Sequence, residues 1–362
     1  MTRPETRCRA CGDGQLTQVL DLGAVPAADC FPPADQPVRP DEASHPLAML
    51  LCAGCGLAQL AQDDTASSEP RGVEPQALKD QAVEAVNCVQ QWLSGSTVRE
   101  FGSPHGGSWL PLLAQQGFTA TTDPADVVVD CFGIMHEPDQ RAAIRERAAA
   151  TAPTGVLLLQ YHALSTIVAQ QQWNALRHGH FAYYSMPALV RLLTAVGMSV
   201  ATSWSFDLYG GTVLLAAVHG HIEPDAAVRQ ILTADAPVLR PEFVGSLQHA
   251  ADAHTRLLRS WLEAQRCAGR RVYAYGAASR AVALFARAGL DSALVARIAD
   301  ASPAKHGRRM PGTDIPIISP DALVDAEPDV VLLTVPDLLP EVTSRLPTLA
   351  GRWVDVDRLP QQ

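Results

Sequence analysis

The chain has 362 residues, 47% of them hydrophobic, and its 28 basic against 38 acidic residues give a formal net charge of −10. That length exceeds one hydrophobic core and predicts two or three domains, and the acidic balance argues against a nucleic-acid partner, which a basic face would recruit. No apolar run approaches the roughly 18 residues that cross a bilayer, and the opening Met-Thr-Arg-Pro-Glu-Thr-Arg has no apolar signal segment, so a cytoplasmic protein with a small-molecule substrate and no membrane partner is expected.

The first predicted feature is a pair of matched knuckles, Cys8-Arg-Ala-Cys11-Gly12 and Cys52-Ala-Gly-Cys55-Gly56. Four thiolates at this spacing can close a tetrahedral zinc site that contributes folding energy and leaves no open coordination position. A glycine after each second cysteine suits a tight turn with φ > 0. Two disulfides or four unrelated thiols are the competing readings; paired C-x-x-C spacing without a secretion signal favours zinc. Cys30, Cys88, Cys131 and Cys267 show no pairing pattern, which fits a reducing compartment.

Residues 1–62 are expected to form this zinc-binding module, and the polar stretch from Asp63 to Gly72 a linker. From 76 to 93 the apolar stripe Ala82, Val83, Val86 and Val89 predicts a helix. Thr97 to Gly107 reads as a strand and a Gly-rich loop, with a helix over 108–116 and buried strands at 126–130, 155–160 and 212–218. A helix over 141–150 lies between the first two of these strands. This gives an α/β domain over 63–220. A long helical connection from 225 to 269 leads to a second such unit over 221–362. In it, strands end at Tyr275, Asp300 and Val335, and Gly276 makes the first strand–helix turn. Strand–helix alternation implies parallel sheets, hence an α/β fold with two Rossmann-like units. Neither unit contains a full G-x-G-x-x-G, so glycines serving only close packing remain an equal reading.

Five segments together resemble one family. They are Cys8–Cys11 with Leu20-Asp-Leu-Gly23, Cys52 to Leu60, Arg177-His178-Gly179-His180-Phe-Ala-Tyr183, Tyr209-Gly210-Gly211-Thr212, and Tyr275 to Arg280 with Ser302 to Gly307. In this order they resemble the zinc-containing, SAM-dependent C-methyltransferases of antibiotic biosynthesis that act on nucleotide-linked 4-keto deoxysugars. The resemblance implies a SAM site at Glu100, Gly102 and Gly106. It implies proton abstraction next to a ketone by the central segment, and nucleotide or phosphate handling by Gly276, Lys305 and Arg308.

The chain departs from that family in four places. The loop usually written Glu-Ile-Gly-Ser-Asn-Asp-Gly reads Glu100-Phe-Gly102-Ser-Pro104-His105-Gly106 here. Two strands that normally follow, one ending in an acid that grips the ribose, are compressed into the residues between Gly106 and Asp126. A full strand at Thr119–Asp123 is excluded by reach. Three residues span at most about 10 Å, whereas a strand is roughly 17–20 Å long. The helix from Ser108 is therefore expected to lead straight into the strand at Val127. Finally, Gly179 stands where glutamate is expected between the histidines, and Gln160 where the family tends to have glutamate.

In an extended segment His178 and His180 would share a side and could supply the base, with Tyr183 donating to the oxyanion. A solvent-facing turn is the plain alternative. His136 follows the Val127 strand at its ligand-binding end. Lys305, His306, Arg308 and Arg309 are the densest basic cluster in the chain; they read equally as a phosphate site or a solvated loop. Three functions follow: methyl transfer by a divergent family member, SAM-independent proton transfer, isomerisation or cyclisation on the same scaffold, or a non-catalytic binding role.

Overall fold

In the computed structural model, which describes residues 7–65, 73–104 and 106–360, the chain lays down three sheets. Most of the expected linker (66–72), as well as His105, lies outside the described residues. The zinc module is an antiparallel meander of β1 (Leu16–Val25), β2 (His45–Cys52) and β3 (Ala58–Leu60). Val19, Leu20, Leu22 and Val25 of β1 turn inward, and two register shifts against β2 curve the ribbon. The fourth strand of this sheet comes from Ala182–Tyr183, far along the chain, paired to β3.

The next unit begins with α1 (Gln76–Cys88), β4 (Thr97–Phe101) and α2 (Leu110–Gln115). The chain does not run straight from α2 into the next long strand. A two-residue strand, β5 (Thr119–Ala120), intervenes and pairs in parallel with Thr97 and Val98 on the outer edge of β4. The reach argument applies to a full strand, whereas two residues advance only about 7 Å. The chain can therefore turn back at the N-terminal end of β4, where the Asp126 carboxylate accepts the N–H groups of Ser96 and Thr97.

The unit continues with β6 (Ala125–Cys131), α3 (Gln140–Ala150), β7 (Thr151–His162), α4 (Leu164–Ala169), β8 (Ala182–Tyr183), α5 (Met186–Thr194), β9 (Met198–Phe206) and β10 (Thr212–His219). The sheet order is β5-β4-β6-β7-β10-β9, parallel through β7 and antiparallel beyond it. Val127–Val129 and Val156–Leu159 are continuously apolar because both sheet faces are covered. Asp139 and Ser185 cap α3 and α5 by accepting the N–H groups of Ala142 and Ala188.

The last unit comprises α6 (Ala226–Asp235), α7 (Pro241–Cys267), β11 (Val272–Tyr275), α8 (Ser279–Ala288), β12 (Ile298–Ala299), β13 (Ile317–Ile318), α9 (Pro320–Asp325), β14 (Val330–Leu333), α10 (Leu339–Arg345) and β15 (Trp353–Asp355). Its sheet is wholly parallel, in the order β13-β12-β11-β14-β15. A single apolar cluster runs from β1 and β2 through α7 into α8 and this sheet, so the zinc module packs on the last unit. Arg309, 2% exposed, crosses the same seam: its Nη1 donates to Glu42 at 2.8 Å and its Nε to the carbonyl of Gln36 at 2.9 Å. No described helix is long and apolar enough to cross a membrane.

Candidate active site

The four cysteines converge. Sγ of Cys8 lies 3.5 Å from that of Cys55, Cys11 lies 3.6 Å from Cys52, and all four sulfurs fall within 4.8 Å of one another. These separations are far beyond the roughly 2.05 Å of a disulfide. They approach the edge of about 3.8 Å in a tetrahedron with bonds of about 2.3 Å. Gly12 and Gly56 both sit at φ 77°, closing each knuckle by donating to the carbonyls of Cys8 and Cys52. The donor set fits zinc and is closed by four sulfurs, so the ion's contribution is to hold the module together.

The chemistry-bearing side chains lie elsewhere. A cavity of about 290 Å³ opens between the C-terminal strand ends of the two α/β units, where open sheets bind ligands. Phe132, Met135 and His162 line it from β6 and β7, and Gly276, Asp300 and Val335 from the facing sheet. The central segment adds Asn174, Arg177, His180 and Tyr183. Gly276 must be glycine here: with φ 96°, a Cβ would come within 2.7 Å of Val335 and 2.8 Å of Thr334.

The two histidines expected on one side are parted by a turn. Gly179 takes φ 77°, so the segment is not extended. His180 reaches the cavity, where its Nε2 accepts from Nε of Arg177 at 2.8 Å and its ring meets that of His136 edge-on at 4.4 Å. His178 instead faces the zinc module, with Nε2 3.3 Å from the carbonyl of Pro46 and its ring 5.9 Å from His45. Tyr183 lines the cavity, but its hydroxyl is already committed, donating to the carbonyl of Ala175 at 3.2 Å and accepting the N–H of Arg177 at 3.1 Å. It holds the loop that carries Arg177, and no free hydroxyl remains for an oxyanion.

His136 stands behind His180. Its Nδ1 donates to the carbonyl of Gly179 at 2.9 Å, and burial, aided by the charge of Arg177, pulls its pKa down to about 4. His162 is held down to about 4 by burial first, then by Arg280 and Arg177. Its Nε2 is buried without a hydrogen-bond partner on the cavity wall. Both imidazoles are therefore neutral at pH 7. Gln160, by contrast, is fully buried behind the wall, bonding Thr212 and Cys131.

Two of the four described non-glycine residues with left-handed backbone line this cavity: Phe132 (φ 60°) and Tyr209 (φ 56°). Gln172 donates to the carbonyl of Tyr209 at 3.0 Å, and Gln170 donates to the carbonyl of Gly210, so the strained turn is pinned by the residues just after α4. Strain of this kind collects at functional sites. Burial lifts the Tyr209 phenol to about 12.

Of the expected basic residues, Lys305 lies on the cavity wall, 4% exposed, with Nζ 2.9 Å from the carbonyl of Ala277 and 3.9 Å from Asp300. Arg308 does not line the cavity; its Nη1 donates to the carbonyl of Phe31 at 2.6 Å, bracing the zinc module. The sequence reading placed His162 beside Gln160 on the ligand-binding rim but gave no role to it, to Arg177 or to Tyr209.

A SAM site tests poorly against these residues. Glu100 does not line the cavity: its oxygens accept the N–H of Trp109 and the hydroxyl of Ser108, both at 2.6 Å, so the carboxylate fixes the start of α2. Gly102 does not line the cavity either, whereas Gly106 does. The stub β5 ends without a carboxylate, and Asp123 is exposed on the turn beyond it. The strand that would wall in an adenosine is two residues long. The residues present do not fit the nucleoside half of SAM.

Comparison with known proteins bears on the family. Residues 8–67 match the model of a zinc binding domain, and residues 207–354 that of a C-methyltransferase C-terminal domain. The chain is 25% identical over 400 aligned positions to the C-methyltransferase NovU of Streptomyces niveus, spanning 94% of this chain and 92% of that one. Among solved structures, magnesium protoporphyrin IX methyltransferase of Synechocystis PCC 6803 matches with a TM-score of 0.28 at 12% identity, over 40% of this chain and 83% of that chain. The mitomycin 7-O-methyltransferase MmcR matches with a TM-score of 0.30 at 15% identity, over 40% of this chain and 56% of that chain. Both end domains match in order and the NovU alignment joins them: the chain carries matches to a zinc binding domain at its start and a C-methyltransferase C-terminal domain at its end, and is similar over most of its length to a C-methyltransferase.

Proposed function

We propose that this chain is an enzyme that takes a proton from the carbon beside a carbonyl, on a nucleotide-linked keto sugar or similar secondary metabolite, without SAM. One observation carries the reading: His162, a neutral imidazole, lines the cavity, and its buried Nε2 has no hydrogen-bond partner. A neutral imidazole within reach of a C–H acid is a general base. Its low basicity at rest comes partly from Arg177 and Arg280. When the proton leaves, the enolate places negative charge against these cations and imidazolium forms beside it, an arrangement stabilised more than the ground state. Returning the proton at another face or position gives epimerisation or isomerisation. The buried donors and the left-handed turn at Tyr209 hold the pocket's shape during that exchange. A cavity of about 290 Å³ lies at the lower end of small-molecule sites, which suits one ligand better than a substrate beside a nucleoside cofactor.

Methyl transfer is the second reading, favoured by the end-to-end alignment with NovU and by Gly106 and Glu74 on the cavity wall. Incubation of candidate keto sugars in D2O tests the first. Wild type is expected to exchange the proton beside the carbonyl, and His162→Gln to lose about a hundredfold or more of that rate. No enzyme-dependent exchange on any such substrate, together with micromolar binding of SAM or S-adenosylhomocysteine by calorimetry, would replace the first reading with the second.

A further inference from the structure

Four cations line the cavity between the two α/β units, and three have an acidic partner. Arg280 lies 3.6 Å from Asp337 and 3.9 Å from Asp357, Arg345 lies 3.3 Å from Glu341, and Lys305 lies 3.9 Å from Asp300. Arg177 has no carboxylate within ion-pair distance among the described residues. Its Nε donates to His180 at 2.8 Å and its Nη1 to Ser279 Oγ at 3.0 Å, both neutral acceptors, while Nη2 makes no hydrogen bond among those residues. A half-buried guanidinium without a counter-charge is costly unless a ligand supplies one.

Its surroundings are those of an oxyanion receptor. Asn174 is 5% exposed, makes no side-chain hydrogen bond among the described residues, and lines the same cavity. Ser279 is 7% exposed and is the first residue of the ten-residue α8, whose N-terminus carries no side-chain cap. The uncapped N–H groups of that first turn and the positive end of the helix dipole lie beside Arg177. Cation, amide, hydroxyl and helix start thus meet on one wall.

We propose that Arg177, with Asn174, Ser279 and the start of α8, docks an oxyanion of the substrate at the reacting end of the cavity, and that docking readies the histidine base. The inference rests on the proton-transfer reading for its second half only. Two terminal nitrogens of a guanidinium suit the paired oxygens of a carboxylate, and a phosphoryl group offers the same chemistry. Compensating the charge of Arg177 also removes one of the influences that keep His136 and His162 unprotonated. The other charges facing His162 come from Arg280, itself balanced by Asp337 and Asp357. A substrate bearing the anion would therefore strengthen its own base on arrival.

The test is a titration of the full-length, zinc-loaded protein with propionate and, separately, inorganic phosphate. Binding is followed by calorimetry, and protonation of the histidines by the C2–H proton signals. Saturable binding is expected for one anion, weakened at least tenfold in Arg177→Gln and several-fold in Asn174→Ala, with an upward shift of the His162 titration in wild type alone. Whichever anion meets these conditions identifies the group. Arg177→Lys keeps the charge without the fork and should bind at an intermediate level; it also serves if the glutamine variant fails to fold. Binding of neither anion, or equal binding by wild type and the Arg177 variants, overturns the proposal. A folded protein that binds the anion yet exchanges no substrate proton would leave the docking site standing and remove the proton-transfer reading.

Discussion

Asp63 holds Gly179 by its N–H at 2.7 Å, from the far side of the seam between the zinc module and the central segment. The carbonyl of the same glycine accepts from Nδ1 of His136. One peptide unit therefore links a carboxylate to an imidazole, leaving the lone pair of that imidazole on Nε2. The sequence led us to expect a glutamate between the two histidines; the carboxylate comes instead from a residue more than a hundred positions earlier. Asp63→Ala is expected to loosen the turn. A hydrogen bond to a charged group contributes about 1.5–3 kcal/mol, so proton exchange should fall by at least tenfold, with the zinc content unchanged. Equal exchange rates in variant and wild type would refute this positioning role.

The zinc site predicts a stability phenotype without direct chemistry. Cys8→Ser should abolish stoichiometric zinc by metal analysis and lower the melting temperature, because metal binding and folding of such modules are one equilibrium. Unchanged zinc content in the variant would refute this ligand set.

Glu42 and Arg309 predict an acid limb. Hydrogen bonding to Arg309 pulls the Glu42 carboxyl from 4.5 to about 2. A carboxyl lowered in the folded chain adds stability that is complete above its unfolded value and is lost as pH falls through its folded value. The window is therefore pH 4.5 down to about 2, and the contribution is on the order of 3 kcal/mol. Arg309→Gln should cost a similar amount at pH 7 and flatten the denaturation curve in that window. An unaltered acid limb would show that the pair contributes nothing there.

The cavity histidines act in the next window upward. His136 and His162 have folded values near 4 against 6.5 when unfolded. Above pH 6.5 both states are neutral and the groups contribute nothing. Between 6.5 and 4 only the unfolded chain takes up the protons, so stability falls as pH falls, by on the order of 3 kcal/mol for each histidine. His162→Gln should remove its share of that slope. Denaturant midpoints for the variant and wild type at pH 7 and 4.5 measure it, and parallel losses would argue against a buried neutral His162.

What the sequence revealed was local. The knuckles, their glycines and the strand–helix alternation depend on residues within a few positions of each other, and each appears in the structure. Of the strands that escaped notice, β5, β8, β13 and β15 are two or three residues long, too short to show a period of two, whereas β9 escaped notice despite its nine residues. The side-chain directions at His178 and His180 hinge on the left-handed Gly179, whose turn composition alone does not announce. The orphan Nε2 of His162, the unbalanced Arg177 and the reach of Asp63 are long-range facts: each depends on what the fold places opposite a residue, and on what it fails to place there.

The strand at Ala182–Tyr183 completes the sheet of the zinc module, and His180 lies two residues before it. The four-cysteine site thus stands at one end of a lever whose other end is a cavity side chain. Loosening the cysteine site would therefore be felt at His180 through the pairing of β3 with β8.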